Sequence, residues 1–126
     1  MGIIYTEIKL RNAVDSKLQP LVTKALVDTG ALLLCIPEHV ATQLQLPVLQ
    51  EREVTTADGK HHMCPYVGPI EVTFRNRSCF VGALVLGDEV LMGAVPMEDL
   101  DLVIAPASQT VEVNPQSPNF PMALVK

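Results

Sequence analysis

Tryptophan is absent from this chain and other aromatic residues are scarce, with three Phe and two Tyr among 126 residues. An apolar fraction of 48% must therefore fill a core with aliphatic side chains, whose branched members favour strands. Basic residues are also few. Nine Lys and Arg against fourteen Asp and Glu give a formal charge of -5. That balance leaves no basic stripe to neutralise phosphates, so no nucleic-acid partner is expected. Cys35, Cys64 and Cys79 are odd in number and lack a C-x-x-C pair, which reads as buried or free thiols rather than a disulfide framework. A reducing, cytoplasmic setting is the expectation. No apolar run reaches the roughly 18 residues of a membrane span, and Met1 to Leu10 shows no basic segment followed by an apolar block and cleavage site. No membrane partner is expected. Met1-Gly2-Ile3-Ile4-Tyr5-Thr6 fits a loose myristoylation pattern, but the same residues alternate like a strand.

The length corresponds to about one domain, 1–126, burying roughly two-thirds of the surface exposed when unfolded. Its last stretch, 114–126, carries Pro115, Pro118 and Pro121 and is expected to run extended, in a polyproline-like course. Ile4, Thr6, Ile8 and Leu10 alternate with Tyr5, Glu7, Lys9 and Arg11, the period of a strand with one buried face. Leu21 to Val27 predicts a second strand and Leu32 to Ile36 a third. Pro37 and Glu38 suit the first turn of a helix that Pro47 stops, and this is the one convincing helix. Val54 to Ala57 and His61 to Val67 flank Asp58-Gly59, a strong hairpin signal. Further strands are expected at Ile70 to Phe74, Cys79 to Leu86, Val90 to Gly93, Leu102 to Ile104 and Thr110 to Val113, with a helical turn at Pro96 to Leu100. Many short strands in succession indicate an all-β sandwich or barrel. A weak internal repeat is visible: Leu26 to Gly30 leading to Pro37, and Val90 to Gly93 leading to Pro96, are each an apolar strand, a Gly, then a Pro-initiated helix.

Asp28-Thr29-Gly30 places one carboxylate inside an apolar run, between Ala25-Leu26-Val27 and Ala31-Leu32-Leu33-Leu34. Burying an unpaired carboxylate costs several kcal/mol, a cost tolerated chiefly at functional sites. The tripeptide arises by chance in roughly one chain in forty of this length, and taken alone Asp28 is better read as capping backbone N–H groups in a tight turn. Gly30 is expected to supply backbone angles closed to other residues. His61, His62 and Cys64, with His39 or Cys79, could offer metal ligands, yet adjacent His residues on a strand point to opposite faces and the spacing matches no standard finger. No metal and no cofactor is therefore expected. Gly59-Lys60 lacks the rest of a phosphate-binding loop, and no Gly-x-Ser-x-Gly or paired Cys/His context suggests another nucleophile. Met92, Met97 and Met122 read as core or packing residues.

Taken together, Ala25 to Ala31 around Asp28, the helix from Pro37 to Leu46, the Ala57-Asp58-Gly59 hairpin, and Leu91-Met92-Gly93 before Pro96 to Leu100 resemble the retropepsin-like aspartic proteases, in particular their small single-domain prokaryotic members. The resemblance spans roughly residues 3 to 114. It implies an all-β fold, a closed β-barrel with one short helix and a flap hairpin. It further implies an aspartic endopeptidase formed as a homodimer acting on a peptide or protein substrate, with Asp28 as the catalytic residue of each copy. Thr29 would bond across the two-fold axis, Gly30 and Ala31 would complete the turn, Ala57, Asp58 and Gly59 would form the flap over the peptide, and Leu91, Met92 and Gly93 would form the supporting apolar strand. Two departures stand out: Leu32 where the family often has a small polar or acidic residue, and a hairpin tip more polar than a retroviral flap.

The chemistry needs two copies. One carboxylate must be ionised to take a proton from water while another, protonated, polarises the carbonyl oxygen. At about 3 Å and an effective dielectric near 20, two negative charges repel by roughly 5 kcal/mol, so such a pair holds one proton, as is general for aspartic proteases. No other Asp here sits in an apolar Thr-Gly turn. The alternative is a non-catalytic dimer of the same fold that binds peptides or other proteins.

Overall fold

The computed structural model describes residues 3–125. The hexapeptide with the myristoylation pattern begins at Met1 and Gly2, which lie outside the described residues. Among the described residues nine strands and two short helices follow one another as β1 (Ile4–Asn12), β2 (Leu21–Val27), β3 (Leu34–Ile36), α1 (Glu38–Gln43), β4 (Val48–Thr55), β5 (His61–Phe74), β6 (Arg77–Val85), β7 (Val90–Met92), α2 (Ala94–Asp99), β8 (Leu102–Ala105) and β9 (Thr110–Val113). Six strands hydrogen-bond in the order β1-β2-β7-β3-β6-β5, and β5 returns to β1, so the sheet closes into a barrel. β4 extends the sheet beyond β5, while β8 and β9 form a separate two-stranded ribbon.

The alternation in β1 is observed: Ile4, Ile8 and Leu10 are buried, and Tyr5, Glu7 and Lys9 are exposed. With Leu34, Ile36, Ile70, Val72, Met92 and Leu100 they form an aliphatic core in which Phe74 is the one aromatic side chain among the described buried residues. Met92 and Met97 belong to it, but Met122 is exposed, contrary to its reading as a packing residue, because the tail that carries it lies outside the barrel. All three cysteines are free thiols, Cys64 and Cys79 buried and Cys35 half-buried.

Several element boundaries differ from expectation for identifiable reasons. The segments at 61–67 and 70–74 are one strand, β5, because the Gly68-Pro69 step is absorbed as a register shift against β6 rather than breaking the strand. The hairpin strands stop at Thr55 and resume at His61, leaving Ala57 in the turn with Asp58 and Gly59. α1 is shorter than Pro37 to Leu46, since the chain turns through a positive φ at Gln45. Buried Asn12 closes that end, donating from Nδ2 to the Leu44 carbonyl at 3.0 Å and accepting at Oδ1 from the Val14 and Asp15 amides. α2 is a second genuine helix beginning at Ala94, two residues before the Pro96 at which a turn was expected.

The weak repeat has a topological counterpart, though in a different alignment. Exchanging β1 with β5, β2 with β6 and β3 with β7 reproduces every pairing of the barrel: β2 is parallel to β7 as β6 is to β3, and β1 meets β5. The residue after β2, Asp28, donates its N–H to the last residue of β7, Met92, at 3.0 Å, and the residue after β6, Leu86, donates to the last residue of β3, Ile36, at 3.0 Å. Leu86 is therefore the internal counterpart of Asp28, and Pro37 that of Gly93.

The tail is bent over 115–120 and lacks regular structure over 121–125, so the uniformly extended course is not what is found. It is fastened at Asp101, whose carboxylate accepts from Asn114 Nδ2 at 3.0 Å, Ser117 Oγ at 2.5 Å and the Met122 N–H at 2.9 Å. Fully buried Arg77 lies 3.7 Å from the same carboxylate and donates to the carbonyls of Leu100 and Ser117. The Ser117 hydroxyl, then Asn114 and the Met122 amide, hold the Asp101 carboxyl at about 2, below its ordinary 3.8. A depressed carboxyl stabilises the fold above its unfolded value and loses that contribution as pH falls through the folded one. The tail is therefore expected to stay docked above about pH 4 and to release as pH falls toward 2. Asp101→Ala should release it at neutral pH. Amide hydrogen exchange across 117–122 measures both.

Candidate active site

Residues 28–33 connect β2 to β3, which lie on either side of β7, so this loop must cross the end of β7. The crossing is held at both ends. Asp28 N–H bonds the Met92 carbonyl, and Ala31 N–H bonds the Asp28 carbonyl at 3.1 Å. Beyond it, the first amides of α2 reach back: Ala94 N–H to the Ala31 carbonyl and Val95 N–H to the Leu32 carbonyl, both at 2.8 Å. A helix leaves its first N–H groups without internal partners. α2 has no side-chain cap, and the carbonyls of the turn take that place.

Gly93 makes this approach possible. A Cβ there would stand 2.5 Å from the Leu33 carbonyl oxygen and 2.7 Å from that of Ala31, both backbone atoms with little room to move. At Gly30 the requirement is also space rather than angle. Its φ is not positive, which corrects the expectation, and a Cβ would lie 3.1 Å from Asp28 Oδ1. That oxygen accepts the Gly30 N–H at 3.0 Å.

The Asp28 side chain is exposed in the single chain, so the buried carboxylate inferred from its apolar flanks is not found. The flanking strands are apolar because they enter the core; the turn between them emerges from it. Leu32 is 65% exposed, and Ile3, next to the Ile4 that pairs with Val27, is 74% exposed. The Thr29 hydroxyl has no hydrogen-bond partner among the described residues. Cys35, on β3 beyond the turn, is a reactive group of another kind: burial raises its thiol pKa, with smaller contributions from Cys64 and from Asp28 itself. Burial, and secondarily Asp99, pushes the Cys79 thiol up to about 12. Neither supplies a thiolate nucleophile near neutral pH.

At the hairpin, Gly59 takes a φ of +82 and its N–H bonds the Thr56 carbonyl at 2.9 Å. Asp58 Oδ1 accepts from Thr56 Oγ1 at 2.5 Å and from the Lys60 N–H at 3.0 Å, which lowers the Asp58 carboxyl, the hydroxyl contributing most. His61 Nδ1 lies 3.1 Å from Thr55 Oγ1 and 3.7 Å from a Glu53 carboxylate oxygen. Among the described residues no group of three His, Cys, Asp or Glu side chains converges in a metal-binding arrangement. No helix there is long and apolar enough to cross a membrane.

A family model described as "gag-polyprotein putative aspartyl protease" matches residues 14–97, a span containing β2, the Asp28 turn, the hairpin, β7 and the start of α2. The chain belongs to this aspartyl protease family. The closed barrel is accordingly a retropepsin-like fold. Comparison with curated proteins yields no match.

Within this family member, the structure brings Thr29, Gly30 and Ala31 together with Leu91, Met92 and Gly93, the two segments meeting through the Asp28 to Met92 and Ala94 to Ala31 bonds. Ala57, Asp58 and Gly59 stand apart at the hairpin tip. Missed from sequence were the amides of Ala94 and Val95 and the carbonyls of Ala31 and Leu32, since backbone groups leave no residue-type signature. The signal that could have found them is Gly93 immediately before a helix with no capping side chain. Gly93→Ala should force the turn off α2, lowering stability by about 1–3 kcal/mol. A thermal melt and hydrogen exchange at residues 28–33 would register it.

Proposed function

We propose that this chain is an aspartic endopeptidase that works as a homodimer, each copy contributing Asp28 to a shared carboxylate pair. The supporting observation is the turn itself, held rigidly by β7 and α2 yet presenting its carboxylate outward beside the exposed apolar side chains of Ile3 and Leu32. The internal pseudo-symmetry of the barrel argues for the second copy. The position equivalent to Asp28 is Leu86, so one barrel holds one such carboxylate and a partner must bring the other.

In the paired state, one Asp28 is ionised and removes a proton from water as it attacks the scissile carbonyl carbon. The partner's protonated carboxyl donates a hydrogen bond to the carbonyl oxygen, and collapse of the tetrahedral intermediate delivers a proton to the leaving nitrogen. A C2 arrangement puts both acids in matching surroundings. Thr29, whose hydroxyl has no hydrogen-bond partner among the described residues, is available to bond across the axis. The β4–β5 hairpin acts as the flap over an extended peptide bound through main-chain hydrogen bonds, with Ala57, Asp58 and Gly59 at its tip. Because the Asp58 carboxyl is lowered, its cap on Thr56 and Lys60 persists further into acid than an ordinary carboxylate would allow.

The second reading, a non-catalytic dimeric peptide-binding module, is favoured by the departures at Leu32 and the polar tip. Asp28→Asn separates the two. The enzyme reading expects cleavage of an unfolded protein substrate by the wild type, a loss of at least about 10³-fold in the variant, and an unchanged sedimentation coefficient. Wild type that cleaves nothing across the acid and neutral range supports the module, and a strictly monomeric chain in the presence of peptide overturns both.

A further inference from the structure

Beside the catalytic turn, the outer face of the barrel carries an open groove of about 1200 Å³ that no part of the proposed chemistry uses. Tyr66, Phe80 and Gly82 line it on the barrel, Leu33 lines it at the end of the catalytic loop, and residues 121–124 of the tail line its far side. Gly82 is needed there because a Cβ would overlap the Tyr66 ring, so that ring lies across β6 and widens the apolar surface. Phe80 is 63% exposed, although the groove would accept an apolar partner against it.

The groove has electrostatic polarity. At the α2 end it is lined by Glu98 and Asp99, both exposed and in no ion pair among the described residues, whereas the nearby Asp101 is occupied by the tail. On the β4 side the Arg52 guanidinium stacks over Tyr66, 4.6 Å from the ring centre. The tail supplies one more feature. Met122 fastens it through its N–H to Asp101, but among the described residues the backbone groups of Ala123, Leu124 and Val125 have no partners. An extended chain entering the groove can pair with them as an added strand.

We propose that this groove is a second peptide-binding site, taking an extended, mainly apolar stretch with a Lys or Arg directed at Glu98 and Asp99. It holds the flank of a protein substrate whose scissile bond lies at Asp28, and so rests on the peptidase reading. Leu33 joins the two sites: it lines the groove, and its carbonyl, in the catalytic loop, lies against Gly93.

The test uses the full-length Asp28→Asn protein, which holds peptide without cutting it. Fluorescence anisotropy is read with a labelled peptide long enough for cleft and groove, bearing a single Lys in the flank, and with a short peptide confined to the cleft. The long peptide is expected to bind more tightly. Replacing its Lys by Glu, or adding Glu98→Gln with Asp99→Asn, should weaken it by about fivefold at low salt, and less as salt screens the charges. Phe80→Ser and a chain ending at Asn119 should weaken it too, with the short peptide unaffected in every case. Equal binding of the Lys and Glu peptides, or no response to the Glu98 and Asp99 changes, would overturn the proposal. So would loss of the dimer, rather than of long-peptide binding, on removing the tail, because the groove would then belong to a second copy. If the predicted binding is found but the wild type cleaves neither peptide, the peptidase reading fails while the groove stands.

Discussion

The close contact between the Asp28 loop, residues 28–33, and Gly93 is the constraint around which the candidate site is organised. β2 and β3 flank β7, so the chain joining them has to pass over its end, and it does so with three successive carbonyls turned toward α2 and Gly93. Two of those carbonyls satisfy helix amides that otherwise lack partners, and the absence of a Cβ lets the third approach. Main-chain groups define this geometry, which explains how an apolar sequence on both sides of Asp28 can carry a carboxylate into solvent without loosening the turn. A backbone held this way fixes the base from which the Asp28 side chain projects.

The barrel's internal dyad sharpens the argument about stoichiometry. The same crossing is built twice, once by β2, β3 and α1 and once by β6, β7 and α2, and each carries the equivalent backbone hydrogen bond. Only one crossing bears the Asp-Thr-Gly turn. At the other, Leu86 follows the strand and Pro37, which carries a side chain, stands where Gly93 would be, so the second half has no acid at the matching position and no bare Cα for loop carbonyls to approach. A fold that is two-fold in topology is thus one-sided in chemistry.

A second polar device works far from the turn. Arg77 is wholly buried, and its charge is balanced by Asp101 and by carbonyls of Leu100 and Ser117. Removing one partner of such a pair leaves the other buried and unmatched, which is much more costly than the pair's net worth. The node gives the tail a fixed origin beside the groove while leaving its apolar end, Phe120 to Val125, in solvent.

Local sequence pattern located β1, β2 and β9, and composition established that aliphatic residues fill the core, because a half-buried strand needs one apolar face and this chain has few aromatic residues to use. It also marked Asp28 as the unusual acid. What it misjudged were features set by distant contacts: whether Asp28 is buried, whether β5 breaks at Gly68-Pro69, where α2 begins, and why Gly30 is a glycine; the reason for Gly93 it did not address. Asp101 reads locally as one acid among several, and becomes the tail's anchor only because Arg77, Asn114 and Ser117 arrive from other strands and turns. Local pattern determines which face of a strand is apolar; the ring of strand pairings decides which backbone groups meet, and those meetings place the acid.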